Sequence, residues 1–271
     1  RDTPISETAI VGAGVGAALG GMRPVVDMHF ADFMGVAMDE LFNQMAKIHF
    51  MFGGQRSVPV VVRAPDGLTN QAAAQHSQSI EAWFLHIPGL KVVIPSNPAD
   101  AKGLLKSAIR DDNPVIYFEH KMLFSEIGPV PDGEHLVPIG VAAVTKPGRD
   151  ITIVSYSYTM KVVMNAVSML KNDGIDPEVI DLRTISPIDK ETILNSVAKT
   201  HRLAIAHEAV KQGGVGAEIA AIVAEEGIDF LDAPILRFGA PFTPVPFARS
   251  LEAAYRVKAE DIYSGIKALF D

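Results

Sequence analysis

The amino-acid sequence predicts an α/β protein built as two tandem parallel-sheet domains. Short apolar runs alternate with segments of helical period along most of its 271 residues. That alternation breaks once, between about 121 and 149, where Pro and Gly recur and periodicity is lost. A hydrophobic content of 48% against 21% charged residues supplies two cores. The expected organisation is a first domain over 1–130, a link over 131–149 and a second domain over 150–271.

In chain order, Pro4 fixes the entry backbone and Ser6 is placed to cap a helix through the small residues from Thr8 to Gly21. Glu7 falls in its first turn, where the helix dipole and free amides stabilise a carboxylate. A purely structural first-turn glutamate is the commoner use of that position. Pro24 to His29 reads as a strand. Met34 to Phe52 reads as one long helix with Met38, Leu41, Met45 and Ile48 on its inner face. Val58 to Arg63 has the continuous apolar character of a strand buried on both sides. Residues 64–78 read as a long polar loop, a length that is often functional.

Ser79 is placed to cap a short helix carrying Glu81, Trp83 and Phe84, and Lys91 to Ile94 is a strand. Asn97-Pro98 opens a helix to about Arg110, and Pro114 to Glu119 is the next strand. The link holds a short strand near Val141 to Val144. The second domain reads as strands at 151–156, 178–183, 203–207 and 235–238, with helices at 158–172, 188–199, 215–226 and from about Lys258.

Charge and composition narrow the function. A net charge of −8 argues against nucleic acid or an anionic membrane as partner. The chain has no cysteine, which excludes disulfides, thiolate metal sites and a cysteine nucleophile. No apolar run is long enough to span a bilayer and no signal peptide opens the sequence, so a cytoplasmic or organelle-matrix protein is expected. The sequence begins at Arg1, as a processed or truncated chain would.

Several segments invite chemistry. Gly12, Gly14 and Gly16 suggest a dinucleotide loop, but no full strand precedes them and Asp27 follows too soon, so a close-packing helix face is favoured. His29 to Phe33 follows a strand, where ligands bind in open parallel sheets. His76, flanked by Gln75, Ser77 and Gln78, has the surroundings of a reactive histidine rather than a core one. His207-Glu208 at a strand end ranks next. Ser77 lacks a nucleophile elbow, and neither metal-ligand spacing nor a phosphate loop is present.

Taken together, DTPISE at 2–7, FADF at 30–33, QHSQS at 75–79, PGLKVV at 88–93, DAKGLL at 100–105 and IRDDNP at 109–114 form a distinctive set. VIDLRTISP at 179–187 and GAEIA at 216–220 extend it. The sequence resembles the beta subunit of the thiamine-diphosphate-dependent component of pyruvate- and acetoin-type 2-oxo acid dehydrogenases. The resemblance implies a transketolase-like pyrimidine-binding domain followed by a C-terminal domain. It implies that Glu7 hydrogen-bonds the cofactor's pyrimidine and favours the tautomer that deprotonates the thiazolium carbon. Phe33 would pack on that ring and Ile5 contact it, with His29 at a polar position where some relatives carry glutamine. His76 would lie over the reacting centre and assist acyl transfer to a lipoyl arm. Main-chain carbonyls near Ala108 and Asp111, with Asn113, would hold a structural potassium ion.

The resemblance implies further partners. The Gly-Asp-Gly segment for magnesium and diphosphate is absent from this sequence and belongs to an alpha subunit in the family. A heterotetramer of two alpha and two beta chains, docked on a lipoyl acyltransferase core, is therefore expected. The family's upstream strand and helix do not precede Arg1, so part of the first domain's sheet or cover is expected to be missing. Two alternatives remain in view: the C-terminal half of a split transketolase, and a non-catalytic assembly subunit. A weaker third is a nucleotide-binding oxidoreductase built on the glycines at 12–16.

Overall fold

A computed structural model describes residues 1–271 as two five-stranded sheets with helices packed on them. In the first sheet, β1 (Val25–Asp27), β2 (Val61–Asp66), β3 (Lys91–Val93) and β4 (Val115–His120) run parallel in the order β1-β2-β4-β3. In the second, β6 (Ile151–Ser155), β7 (Pro177–Asp181), β9 (Leu203–Val210) and β10 (Leu236–Ala240) run parallel, with β5 (Ala143–Lys146) antiparallel on the edge beside β7. Part of the segment expected as a link thus belongs to the second sheet.

One strand escapes sequence inspection. β8 (Thr184–Ser186) lies in the second half of the chain but pairs antiparallel with β3, closing the edge of the first sheet. Three residues ahead of a proline carry too little alternation to read as a strand. The apolar interior follows the same crossing: one buried cluster joins Val92 and Ile94 of the first half to Val154, Ile180 and Ile205 of the second. The halves therefore share a core.

The strand β2 ends three residues later than its apolar run predicts, and Pro65 lies within it. Parallel strands alternate the sides to which backbone groups point, and the Arg63 carbonyl accepts from Met28 on the β1 side. Pro65 faces that same side, where β1 pairing has stopped at Asp27–Arg63, so its missing N–H costs no ladder bond.

The helix expected over 34–52 is instead three pieces: a 3₁₀ turn (Ala31–Gly35), a π-helical stretch (Glu40–Met45) and α2 (Ala46–Met51). Leu41, Met45 and Ile48 are buried as the period requires. The wide turn has a local cause in Asp39, whose carboxylate accepts from Asn43 Nδ2 at 2.5 Å and from Gln44 Nε2 at 3.4 Å, five residues on. A helix α8 (Arg249–Tyr255) precedes α9 (Ala259–Lys267), in a stretch where the sequence indicates no helix before about Lys258.

Two expected caps differ as well. Ser6 stands at the N-cap of α1 (Glu7–Leu19), but its side chain makes no capping hydrogen bond. Ser79 does not cap α3 (Glu81–Leu85), whose N-cap is Ile80. Its hydroxyl instead donates to Glu208 Oε1 at 3.2 Å. By contrast Asn97 caps α4 (Pro98–Arg110), accepting from the Asp100 amide at 2.9 Å. Of the three glycines on α1, Gly14 makes the close packing: a Cβ there would collide with Val26.

Candidate active site

At the C-terminal ends of β1 and β2 three separate segments converge. The chain leaves β1 through Phe30, winds the 3₁₀ turn that carries Asp32 and Phe33, and meets the loop after β2 at His76. The His76 ring stands edge-on to Phe30 at 5.0 Å and to Phe33 at 5.3 Å, and the two phenylalanines are themselves edge-on at 6.2 Å. Asp32 fixes this contact. Its Oδ1 accepts from both the amide and the side-chain Nε2 of Gln78, at 3.1 and 2.9 Å. Its other oxygen is buried with no hydrogen-bond partner, as is the hydroxyl of Ser77.

The third segment is the start of α1. Thr8 Oγ1 donates to the Val36 carbonyl at 3.0 Å, which ties the first turn of α1 to the chain just beyond Phe33. Glu7, half-buried, occupies that turn, and Ile5 before it is exposed. Glu7, Phe33 and His76 are thus carried by neighbouring pieces of backbone, and the rings of Phe30 and Phe33 stand against His76. His29 is exposed and is not among the ring pairs of this group.

Lys121, which sequence inspection did not single out, completes the group. Its ammonium donates to the His76 carbonyl at 2.7 Å and sits 5.3 Å from the Phe30 ring centre. Burial lowers its pKa, against the opposing charges of Asp66, Asp32 and Glu208. The signal for Lys121 was its position directly after β4; that for Asp32 was its place in the FADF segment.

Ala108, Asp111 and Asn113 lie far from this group, at the end of α4 and ahead of β4, on the opposite end of the first sheet. There the carbonyls of Ile109 and Asp111 both accept from Arg23 Nη1, at 3.2 and 2.8 Å. The Asp111 carboxylate accepts from Lys91 Nζ at 2.5 Å, and from the amide and Nδ2 of Asn113 at 2.9 Å. No group of three or more His, Asp or Glu stands close enough together to hold a metal ion.

Behind the His76 loop the two halves of the chain meet in a cluster of ionisable groups. Glu208 Oε1 accepts from the Leu68 amide at 2.6 Å, the Ser79 hydroxyl at 3.2 Å and His120 Nε2 at 2.9 Å. Burial works against both charges of the His120–Glu208 pair, yet their mutual attraction, joined by the Leu68 amide and Arg256 at Glu208 and by Asp66 at His120, outweighs it. The His120 pKa lies above the ordinary value and that of Glu208 below. Neighbouring Asp66 is buried without a partner for Oδ1, and burial pushes its pKa up to about 8. The neighbour His207 points the other way along β9. Its ring fills a space bounded by Gly214, Gly216 and Gly239, and burial lowers its pKa to about 4. The pair His207-Glu208 therefore divides between two sites, as alternation along a strand requires.

Residues 1–126 match the transketolase pyrimidine-binding domain family and residues 140–262 the transketolase C-terminal domain family. The chain is 48% identical over 261 residues to the beta subunit of acetoin:2,6-dichlorophenolindophenol oxidoreductase of Cupriavidus necator, covering 96% of this chain and 77% of that protein. It is 46% identical to the mitochondrial pyruvate dehydrogenase E1 component subunit beta of Dictyostelium discoideum, covering 98% and 76%. With the 2-oxoisovalerate dehydrogenase subunit beta of Bacillus subtilis it shares 43%, covering 99% and 83%. Among solved structures, a split-gene transketolase described as an inactive beta4 tetramer shares the fold at a TM-score of 0.81 and 23% identity, over 98% of this chain and 82% of that one. With a transketolase-like fold and this degree of identity over nearly its whole length, the chain belongs to the family of 2-oxo acid and acetoin dehydrogenase beta subunits.

Proposed function

We propose that the chain is the beta subunit of a thiamine-diphosphate-dependent enzyme that cleaves pyruvate, acetoin or a related 2-oxo acid and passes the acyl group to lipoamide. The observation that carries this reading is the convergence of the Glu7 turn, Phe33 and His76 at one end of the first sheet. The donor set suits an aminopyrimidine: a carboxylate in a helix's first turn, an aromatic face, and an imidazole held by its own backbone. When bound, thiamine diphosphate supplies the electron sink that such cleavages need.

In this reading Glu7 accepts a hydrogen bond from a pyrimidine ring nitrogen, and Phe33 and Ile5 confine the ring. His76 turns a ring N–H toward the oxygen on which charge develops, and Lys121 and Asp32 keep it there. His29, being exposed, would contribute only if a partner chain covers it.

The partner is proposed to be an alpha chain, in a heterotetramer of two alpha and two beta chains that docks on a lipoyl acyltransferase core. Magnesium and the diphosphate would be held mainly by the alpha chain. A potassium ion is proposed at the Ala108–Asn113 corner, where convergent carbonyls already satisfy a cation, the guanidinium of Arg23. A cytoplasmic or mitochondrial-matrix location is supported by the bacterial and mitochondrial relatives, and no helix is long and apolar enough to cross a membrane.

Calorimetric titration of thiamine diphosphate and magnesium into this chain, with and without a co-expressed alpha chain, tests the reading. Binding by the mixture that is lost in Glu7→Ala is the expected result. An assembled mixture that does not bind, or a fully active Glu7→Ala mixture, would overturn it and favour a non-catalytic assembly role.

A further inference from the structure

The loop that ends in His76 is held in an unfavourable shape. Gly67 has φ +75°, and Gln71 and Ala73 adopt left-handed φ values of 62° and 61° without being glycine. Such backbone costs free energy and persists only where the surroundings over-determine it. Those surroundings come from the other half of the chain. Glu208 on β9 takes the amide of Leu68 at one end of the loop and the hydroxyl of Ser79 at the other. Glu252 on α8 takes the amide of Gln71 at 2.7 Å, and Arg256, paired with Glu252, donates to the Thr69 carbonyl at 2.9 Å. A Cβ on Gly67 would collide with His120 and come within 2.7 Å of Glu208 Oε1, so the backbone lies directly against the carboxylate.

We infer that Glu208 is a positioning residue: as a single acceptor for both ends of the 67–79 loop, it lets the second domain fix the imidazole of His76 over the first domain's site. One carboxylate oxygen with three donors is a strong local constraint, because each bond is charge-assisted and shielded from water. The hydrogen bonds of Glu208 go to Leu68, Ser79 and His120 and not to His76, so its effect on turnover passes through the loop backbone. Charged and titratable neighbours facing it are His120 and Lys121 at the end of β4, Asp66 from β2, Glu81 from α3, Tyr156 just after β6, and Tyr255 and Arg256 at the end of α8. The inference rests on the proposed role of His76.

The test is hydrogen–deuterium exchange and turnover of Glu208→Gln in the assembled alpha–beta enzyme. Glutamine keeps the shape and one acceptor oxygen but loses the charge. Exchange over 67–79 should rise about tenfold, with β6 and β10 unaffected, while kcat falls by a similar factor at little-changed KM. Unchanged loop exchange, or faster exchange with wild-type kcat, would overturn the inference. Ser79→Ala removes one donor of the three and carries the test if Glu208→Gln does not fold. It should raise exchange over 76–79 by about two- to threefold, and no change would count against the inference. His76→Ala, assayed alongside, separates the two readings: full activity there would sink the proposed role of His76 and leave the exchange result standing.

Discussion

The Tyr156 hydroxyl donates to Glu81 Oε1 at 2.7 Å, joining the end of β6 to the start of α3 through two fully buried side chains. The other oxygen of Glu81 has no partner. Burial raises the Glu81 pKa, and the tyrosine's hydrogen bond is the chief effect opposing it. Tyr156→Phe removes that donor and leaves a buried carboxyl with no side-chain partner. We expect a loss of about 1–3 kcal/mol in denaturant unfolding at neutral pH, with the Glu81 pKa rising further. Unchanged stability would show that water reaches the pair.

Asp66 makes stability depend on pH. Its carboxyl titrates at about 8 in the folded chain, because burial disfavours the charge and Glu81 and Glu208 add to that, against His120. The unfolded chain releases the same proton near 3.8. Between those values the folded state binds more protons, so this group lowers stability as pH rises across the window. Asp66→Asn has no proton to lose. It should exceed the wild type by on the order of a few kcal/mol at pH 8, with the difference shrinking toward pH 4, as measured by urea titration across pH.

The His120–Glu208 pair has two flanks of opposite sign. His120, raised above its ordinary 6.5, contributes stability that is complete below 6.5 and is lost as pH rises through its folded pKa. Glu208, lowered below 4.5, contributes stability present above 4.5 and lost as pH falls through its folded pKa. Exchange of the 67–79 amides, corrected for the intrinsic rate, should therefore be slowest between those limits and accelerate on both sides.

Gly67→Ala places a methyl group against the His120 ring and a carboxylate oxygen at a positive φ. Neither neighbour has room to retreat without giving up its hydrogen bond. A loss of about 2–4 kcal/mol in thermal or denaturant unfolding is expected, well beyond the cost of the strained φ alone.

Glu7→Gln keeps the hydrogen-bonding shape but not the charge. In the assembled enzyme it should lower kcat by about 10²-fold or more while costing this chain no more than about 1 kcal/mol of stability, the share of the helix dipole, since the residue is half-buried and has no side-chain partner. A variant that turns over normally would remove Glu7 from the chemistry.

Much of this was legible in the sequence because local rules and tertiary demands agreed. Asn97-Pro98 started its helix where capping chemistry said it would, and the buried strands β4, β6 and β7 coincide with their apolar runs to within a few residues. The motifs at 30–33 and 75–79 pointed to Phe33 and His76, whose rings the fold brings together, and the motif at 2–7 to the proposed role of Glu7. What escaped depended on distant partners. Ser79 has the composition of a cap but answers to Glu208, 129 residues away. The 3₁₀ and π turns of 31–45 follow from Asp39's side-chain bonds and from the packing of Phe33 on His76, which no helical period encodes. Lys121 and Asp66 carry no motif, and only the folded chain gives them their surroundings.

The strand β8 belongs to one domain by sequence and to the other by hydrogen bonding. A polypeptide divided in the stretch between the matched families, residues 127–139, would leave the first fragment with β3 as a raw sheet edge and the second with a homeless strand. Such fragments are matched halves of a clasp and should recombine when mixed, where unrelated domains would stay apart. For the same reason, a chimera that exchanges the second domain between relatives also imports the hem of the first domain's sheet. The side chains that β8 lays against β3, not the linker, then decide which grafts take.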